Sequence, residues 1–432
     1  MSGTYIYINI LEILFKKIKY GQKLMFQVVF IAMLLHSSTG LMETPLTLLI
    51  AGAGIYLLLK SNPFGFTLLG LAVYFRLEMS FLFALSLLIF IIQKKMDAKT
   101  IIGYSLAGIS PLVCFDLYYF QTIIPHSIVA KLVIYPLSYL DAFLRIMASS
   151  LFAMPNEGAQ ILFVKALLFT AINLLTGWTA LKRAMILRDI WTAFFYLSGL
   201  GIIVFYIAGR ALLVEWYIPL YMTPIFVSLY ISAHMTEHWK GIILKELLFF
   251  TIVLSVVFMI ITCYSAFFNP SKYFLFEGGS RVKTYLHVGK TIDMEYPGAR
   301  LLTSEIGGLG YSFSGEILDA AGLASSEVLK YYSEEMPEFG GIPPEYVMQK
   351  KPEIIVTYDV FGQALSKHDI AKEYSVISVS AYLPEDEIYS KNKTIWGSQC
   401  LKIYIHKSLP ITDGICLLAA PSDGIINTVC NQ

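Results

Sequence analysis

Residues Phe64–Ile92, FGFTLLGLAVYFRLEMSFLFALSLLIFII, form an apolar run of nearly thirty positions whose only charges are Arg76 and Glu78. Similar runs recur along the chain. Nine hydrophobic segments lie between Leu24 and Phe268, at about 24–36, 42–59, 64–75, 79–92, 101–120, 160–180, 190–209, 217–233 and 242–267. Segments this apolar find their solvent in lipid, so the chain reads as an α-helical polytopic membrane bundle. Several are short for a full crossing and call for tilt, bilayer thinning or hairpin pairing. Beyond Phe268 the chain turns polar to its end, which divides it into a bundle of about nine spans over 1–269 and a small soluble domain over 270–432.

Composition agrees with this division. Hydrophobic residues make up 56% of the chain and charged residues 15%, with a mean hydropathy of +0.64; ordinary soluble domains run to about 45–50% and about 25%. Soluble classes are therefore excluded before any motif is weighed. The net charge of +1 conceals an asymmetry, with 18 Lys and Arg against 11 Asp and Glu through Asn269 and 14 against 20 after it. The mildly acidic tail is no partner for nucleic acid. Of five cysteines, Cys114 and Cys263 fall in spans and Cys400, Cys416 and Cys430 in the tail, which leaves room for one disulfide. No Cys/His spacing supports a metal, and no cofactor is called for. Segment Tyr5–Phe15 precedes the basic run Lys16–Lys23 and lacks a small-residue cleavage site, so it reads as an interfacial helix or the remnant of a longer one.

Threading the spans alternately gathers thirteen Lys and Arg on one face, Lys94, Lys95, Lys182 and Arg183 among them, and five on the other: Arg76, Lys131, Arg145, Lys165 and Arg210. By the positive-inside rule the rich face is cytoplasmic. The tail and the connection 121–159 then lie outside a cytoplasmic (inner) membrane.

Charge near hydrocarbon is costly, so the ionisable residues on the outer side are informative: Glu43, Arg76, Glu78, Asp116, His126, Lys131, Asp141, Arg145, Arg210 and Glu215. Three stretches stand out. In Ser37–Leu46, Glu43 stands at the start of a span, where the helix dipole favours a carboxylate; the plainer reading is a first-turn charge ahead of Pro45. In Gly70–Glu78 an Arg/Glu pair breaks the apolar run; a solvated ion pair at a hairpin tip would be worth little. In Tyr118–Lys131 an aromatic-rich exit runs into an amphipathic outer segment; an aromatic belt with a snorkelling lysine has the same composition.

In order and spacing these stretches resemble the multi-span glycosyltransferases of the GT-C class, in particular the arabinofuranosyl/mannosyltransferase-like membrane proteins. Gly40…Glu43-Thr44 corresponds to their small-Gly-Met/Leu-Glu-Thr entry to a span. Gly70-Leu71-Ala72…Arg76-Leu77-Glu78 corresponds to their Gly-Leu-Ala…Arg-Pro-Glu hairpin, and Pro125-His126-Ser127-Ile128-Val129-Ala130-Lys131 to their Pro-Asn/His-Thr-x-x-Ala-Lys. Glu215-Trp216-Tyr217 is similar to the Trp-Tyr pair that opens a later span. Gly308-Leu309-Gly310-Tyr311 with Asp319…Gly322-Leu323 is similar to the extracytoplasmic tail. The chain departs from the pattern at three points: one residue is inserted between Gly40 and Glu43, Leu77 replaces Pro, and no acidic pair follows a first span, the first Asp being Asp97. Against that family the chain begins several helices late, as a truncated product lacking the catalytic acidic loop would.

The resemblance implies transfer of a sugar from a polyprenyl-phosphate donor to an envelope glycan or lipid acceptor. It assigns Lys131, Arg76 and His126 to the donor phosphate and Glu43, Glu78 and Asp116 to orienting the sugar or acceptor, and leaves the catalytic base unassigned. The competing reading is a non-catalytic, membrane-anchored protein whose tail binds a glycan or a partner. A transporter comes third, for want of an inverted repeat or a buried acidic relay.

The tail itself reads as strand 300–304, a Gly turn, strand 316–320, helix 344–350, strand 353–358, helix 362–374, strand 375–381 and strand 400–406, a small α/β domain. Gly307-Gly308-Leu309-Gly310 leads to a strand in this reading, without the helix that a dinucleotide loop requires.

Overall fold

The computed structural model describes residues 2–15, 27, 44–119, 121–122, 129–130, 133, 137–150, 159–187, 189–210, 217–235, 246, 274–332, 341–381, 398 and 400–419. The chain forms two compact units. One comprises Met1–Ile123 and Leu137–Cys263, the other Ile124–Pro136 and Tyr264–Gln432. Segment Ile124–Pro136, counted with the bundle in the sequence reading, thus groups with the tail.

The first unit is helical. Its helices are α1 (Ser2–Phe15), α2 (Thr44–Leu59), α3 (Phe64–Phe75), α4 (Ser80–Gln93), α5 (Ala98–Tyr119), α6 (Tyr139–Ser149), α7 (Ala159–Leu187), α8 (Ile190–Ala208) and α9 (Ile218–Met235). Three stretches are long and apolar enough to cross a membrane: all of α5, Phe163–Ile186 of α7, and α8. Four others are apolar but shorter: Thr44–Leu59, Phe64–Phe75, Leu77–Gln93 and Ile218–Ser232. The 12 residues of α3 rise only about 18 Å at 1.5 Å each, against roughly 30 Å of hydrocarbon. Nine full-length spans are therefore not found among the described residues, and the expected spans 24–36 and 242–267 lie outside them.

Small residues and backbone carbonyls bring these helices together. A Cβ on Gly108 of α5 would fall 2.5 Å from the Thr67 carbonyl of α3, and one on Gly70 would fall 3.0 Å from Gly108. The Thr67 hydroxyl donates to the Tyr104 carbonyl at 3.0 Å. Hydroxyls inside the helices bond their own backbone one turn back, as Ser86 does to Leu82 and Ser198 to Phe194, both at 2.8 Å. Helix α1 packs on α2, its buried Tyr7 donating to the Leu48 carbonyl at 3.2 Å. It is an element of the helical core.

The second unit is an α/β/α sandwich. Helix α10 (Phe274–Glu295) leads into β1 (Leu301–Thr303), α11 (Ile306–Ser312) and β2 (Ile317–Asp319). A 3₁₀ turn (Ser326–Tyr331) and α12 (Pro344–Lys350) precede β3 (Ile354–Tyr358), followed by α13 (Asp359–Lys367), β4 (Tyr374–Ser380), β5 (Cys400–His406) and α14 (Asp413–Ala419). Strand order is β2-β1-β3-β5-β4, parallel across β2-β1-β3 and antiparallel across β3-β5-β4. Alternate side chains feed two cores. Leu301, Ile354 and Val356 pack with Tyr285, Val288 and Ile292 of α10 on one face, while Leu302 and Ile355 pack with Tyr346 and Val347 of α12 on the other. Burial on both faces is why β3 opens on Ile354-Ile355-Val356 rather than on an alternation of apolar and polar residues.

The segment read as a Gly turn is helix α11. Glycine disfavours helix by about 1 kcal/mol per residue, but packing overrides the propensity. A Cβ on Gly308 would lie 2.8 Å from Cβ of Tyr285 and 3.1 Å from the Val282 carbonyl of α10, so close helix approach selects the glycine. The helix expected over 362–374 is α13 followed by a 3₁₀ turn, Asp369–Glu373, with extended His368 between them.

Candidate functional site

Sequence alone pointed to Arg76 and Glu78, and the structure brings them together. Helix α3 ends at Phe75, Arg76 is extended (φ −149°, ψ 110°), and Leu77–Met79 form one 3₁₀ turn before α4 begins. The break therefore forms with Leu77 where the resembling proteins have Pro. It leaves Arg76 and Glu78 almost fully buried, at 7% and 6% exposure, with Nη1 of Arg76 3.8 Å from Oε1 of Glu78. This is an ion pair without two-pronged hydrogen bonding.

Two tyrosines join the cluster. The Tyr206 hydroxyl on α8 donates to Oε1 of Glu78 at 2.5 Å. The Arg76 guanidinium lies over the Tyr217 ring at 4.4 Å, a cation–π contact strengthened by exclusion of water. Tyr206 packs edge-on against Tyr217 and Tyr221, and the Tyr221 hydroxyl accepts from Ser150 at 3.0 Å. The sequence reading named Tyr217 only as part of the pattern opening a later span and passed over Tyr206. The signal available was a phenol, rather than a phenyl ring, near the end of an apolar span.

Asp116 on α5 is 6% exposed and makes no hydrogen bond or ion pair among the described residues. Glu43, His126 and Lys131 lie outside the described residues, as do Glu215 and Trp216. Chemically, the cluster holds a guanidinium and a carboxylate ready-oriented in an apolar setting, where each acts more strongly on a third charge than it would in water.

In the tail, the strand order reverses between β1 and β3, and the carboxyl ends of the parallel strands mark the usual crevice of such sheets. The charges there are already paired. Glu305 accepts from Tyr285 at 2.7 Å and faces Arg281 at 3.1 Å. Asp359 is bound to Lys402 and accepts from Ser398 at 2.8 Å. The hydrogen bond that Lys402 donates to Asp359 raises the Lys402 pKa above the ordinary lysine value. Burial, then the Asp359 charge, pushes the Cys400 thiol up, which disfavours the reactive thiolate. Burial also raises Asp319, opposed by backbone N–H groups, those of Ala324 and Ala321 reaching it at 2.7 and 2.8 Å. With an acid at the entrance to the seven-residue helix α11, the Gly-rich segment is no phosphate cradle. Among the described residues no three His, Cys, Asp or Glu side chains converge as a metal site would require.

Comparison with known proteins reaches only this second unit. A family model described as a domain of unknown function, DUF8728, matches residues 277–404, the stretch from α10 through most of β5. No curated protein and no solved structure matches the chain.

Proposed function

We propose that this chain is a membrane glycosyltransferase of the GT-C kind, moving a sugar from a polyprenyl-phosphate donor to an envelope glycan or lipid acceptor on the outer side of the cytoplasmic membrane. The observation that carries the reading is the buried Arg76–Glu78 pair at the break between α3 and α4. A charge pair kept inside an apolar helical unit is expensive, and in membrane proteins such groups mark substrate paths. In this reading Arg76, with Lys131 and His126, holds the donor phosphate, since guanidinium and ammonium groups are its natural ligands. Glu78 orients the sugar, together with Glu43. The shorter helices α2, α3, α4 and α9 tilt or pair as hairpins beside the three longer ones, with the tail outside.

The test is transfer by the full chain in phospholipid vesicles, from polyprenyl-phosphate mannose or polyprenyl-phosphate arabinofuranose to an envelope lipid extract. R76A and K131A should each weaken donor retention at least tenfold. Unchanged retention in both variants would sink the site assignment, and the absence of transfer from either donor by the unaltered chain would sink the reading.

A second reading has one observation in its favour. The family match covers the tail alone, a unit with cores of its own. The tail would then be a glycan- or partner-binding module anchored by the helices. Retention of the full chain in nanodiscs on an array of envelope glycans, without turnover of either donor, is the outcome that would prefer it.

A further inference from the structure

Where water is scarce, paired carboxylates elsewhere in this chain engage both oxygens. Asp319 receives the Ala321 N–H on Oδ1 and the Ala324 N–H on Oδ2. Glu305 meets Arg281 through Oε1 and Tyr285 through Oε2. Oε1 of Glu327 takes both Lys350 and Tyr346, but that side chain is 47% exposed and water serves the other oxygen. Glu78 joins the burial of the first two to the one-sided pairing of the third. It is 6% exposed, yet Tyr206 and Arg76 both address Oε1. Its Oε2 receives no hydrogen bond among the described residues and is not sealed off. That oxygen is therefore open to a third group.

The hydroxyl that creates this asymmetry is held from several sides. Tyr206 is 5% exposed near the end of α8, and its ring meets Tyr217 and Tyr221 edge-on with centroids 5.5 and 6.4 Å away. Tyr221 is tied in turn to the end of α6, its hydroxyl donating to the Ile146 carbonyl at 3.4 Å and accepting from Ser150 at 3.0 Å. Helices α6, α8 and α9 thus fix the phenol, and a fixed phenol fixes the carboxylate it bonds. With Oε1 committed to Tyr206, Glu78 does not turn both oxygens on Arg76, as Glu353 does on Arg300.

From this arrangement we infer that Tyr206 is a positioning residue of the transfer: it ties Oε1 of Glu78 and so leaves Oε2 to accept a hydrogen bond from a hydroxyl of the transferred sugar. The inference rests on the glycosyltransferase reading above and adds to it the residue that aims Glu78. Tyr206 touches no reacting atom. Its hydroxyl stays the donor and Glu78 the acceptor, so no proton changes hands between them. Without that hydroxyl, Glu78 turns its second oxygen to Arg76, and the pair satisfies itself instead of the sugar.

Y206F removes the hydroxyl and keeps the ring. The full chain in nanodiscs is given polyprenyl-phosphate mannose and polyprenyl-phosphate arabinofuranose, and turnover is expressed per retained donor, a ratio that loss of folded protein does not move. Y206F should lower this ratio by about 10- to 100-fold, the cost of a misaimed orienting group, with donor affinity within threefold of the unaltered chain. A smaller fall, or none, would overturn the assignment and leave the glycosyltransferase reading standing. Turnover and retention falling in parallel, with their ratio kept, would overturn it in the same way, by showing that the hydroxyl serves only the fold. Loss of donor affinity beyond threefold would also overturn it, by placing the hydroxyl in donor binding. Failure of the unaltered chain to transfer from either donor would remove the glycosyltransferase reading and this inference with it.

Discussion

Arg76–Glu78 in the helical unit and Arg300–Glu353 in the tail pair the same two residue types in opposite settings. In the first, both side chains are below 10% exposure and the closest approach is 3.8 Å. In the second, exposures are 37% and 33%, and Arg300 reaches Glu353 by Nε at 3.2 Å and Nη2 at 3.3 Å, with its backbone N–H at 2.9 Å. The better hydrogen-bonded pair is the one that needs it less. In the tail, water can replace either partner, so the fork tidies the edge between β1 and β3. In the apolar unit the Tyr206 hydrogen bond and the Tyr217 ring stand beside the ion pair, in place of the fork.

The contrast breaks most visibly at Glu78. E78A leaves Arg76 buried without its carboxylate, and removing one partner of a buried pair costs about 3–5 kcal/mol. Thermal denaturation of the full chain in detergent should show the helical transition falling steeply. R76M/E78M, which removes both charges and keeps volume, should cost less than E78A alone. A loss below about 1 kcal/mol in E78A, the range of exposed pairs, would put the two pairs in one class.

The same contrast explains what the sequence made legible. Arg76, Glu78 and Asp116 stood out because charge inside an apolar run has no camouflage. Strands β3 and β5 and helix α12 were read within a residue or two, since β-branched runs and a Pro-led helix start are local signals. Tyr206 was missed because a tyrosine within a span resembles filler until its hydroxyl is seen to meet Glu78. Helix α10 is not legible although Tyr285, Val288 and Ile292 recur at helical spacing, because Gly278, Gly279 and the charges of Glu277, Arg281 and Lys283 interrupt its apolar pattern. Helix α11 was read as a turn because local propensity, the only guide in sequence, lost to its packing on α10.

A smaller effect tests whether burial or pairing decides the cost in the tail. Asp319 is 1% exposed, and its carboxylate gathers the N–H groups of Ala321 and Ala324. It thereby fixes the turn in which Gly322 adopts φ +70°. D319A strands both N–H groups, and an unsatisfied buried donor costs about 1–3 kcal/mol. Denaturant unfolding of the tail, followed by its strand signal, should register that loss. E353A should register less than about 1 kcal/mol, because its partner is open to water. Equal losses would mean that burial is not what separates them.

The smallest effect is the one whose sign is most exposed to error. Glu327 contacts Nζ of Lys350 at 2.6 Å and accepts from Tyr346 at 3.1 Å. The hydrogen bond from Lys350, then that from Tyr346, holds its pKa below the ordinary 4.5 despite some burial. A folded-state pKa depressed in this way adds stability above the unfolded value, and the addition is lost as pH falls through the folded one. E327Q should therefore be slightly less stable than the unaltered chain at neutral pH and indistinguishable from it once pH drops well below 4.5. With the carboxylate 47% exposed, solvent screening limits the difference to a few tenths of a kcal/mol. Unfolding of both proteins between neutral and acid pH measures it by difference, so that other titrating carboxylates cancel. A gap that widens on acidification would show that Lys350 does not stabilise the charged form, and would remove Glu327 from the half-exposed pairs against which Arg76–Glu78 is judged.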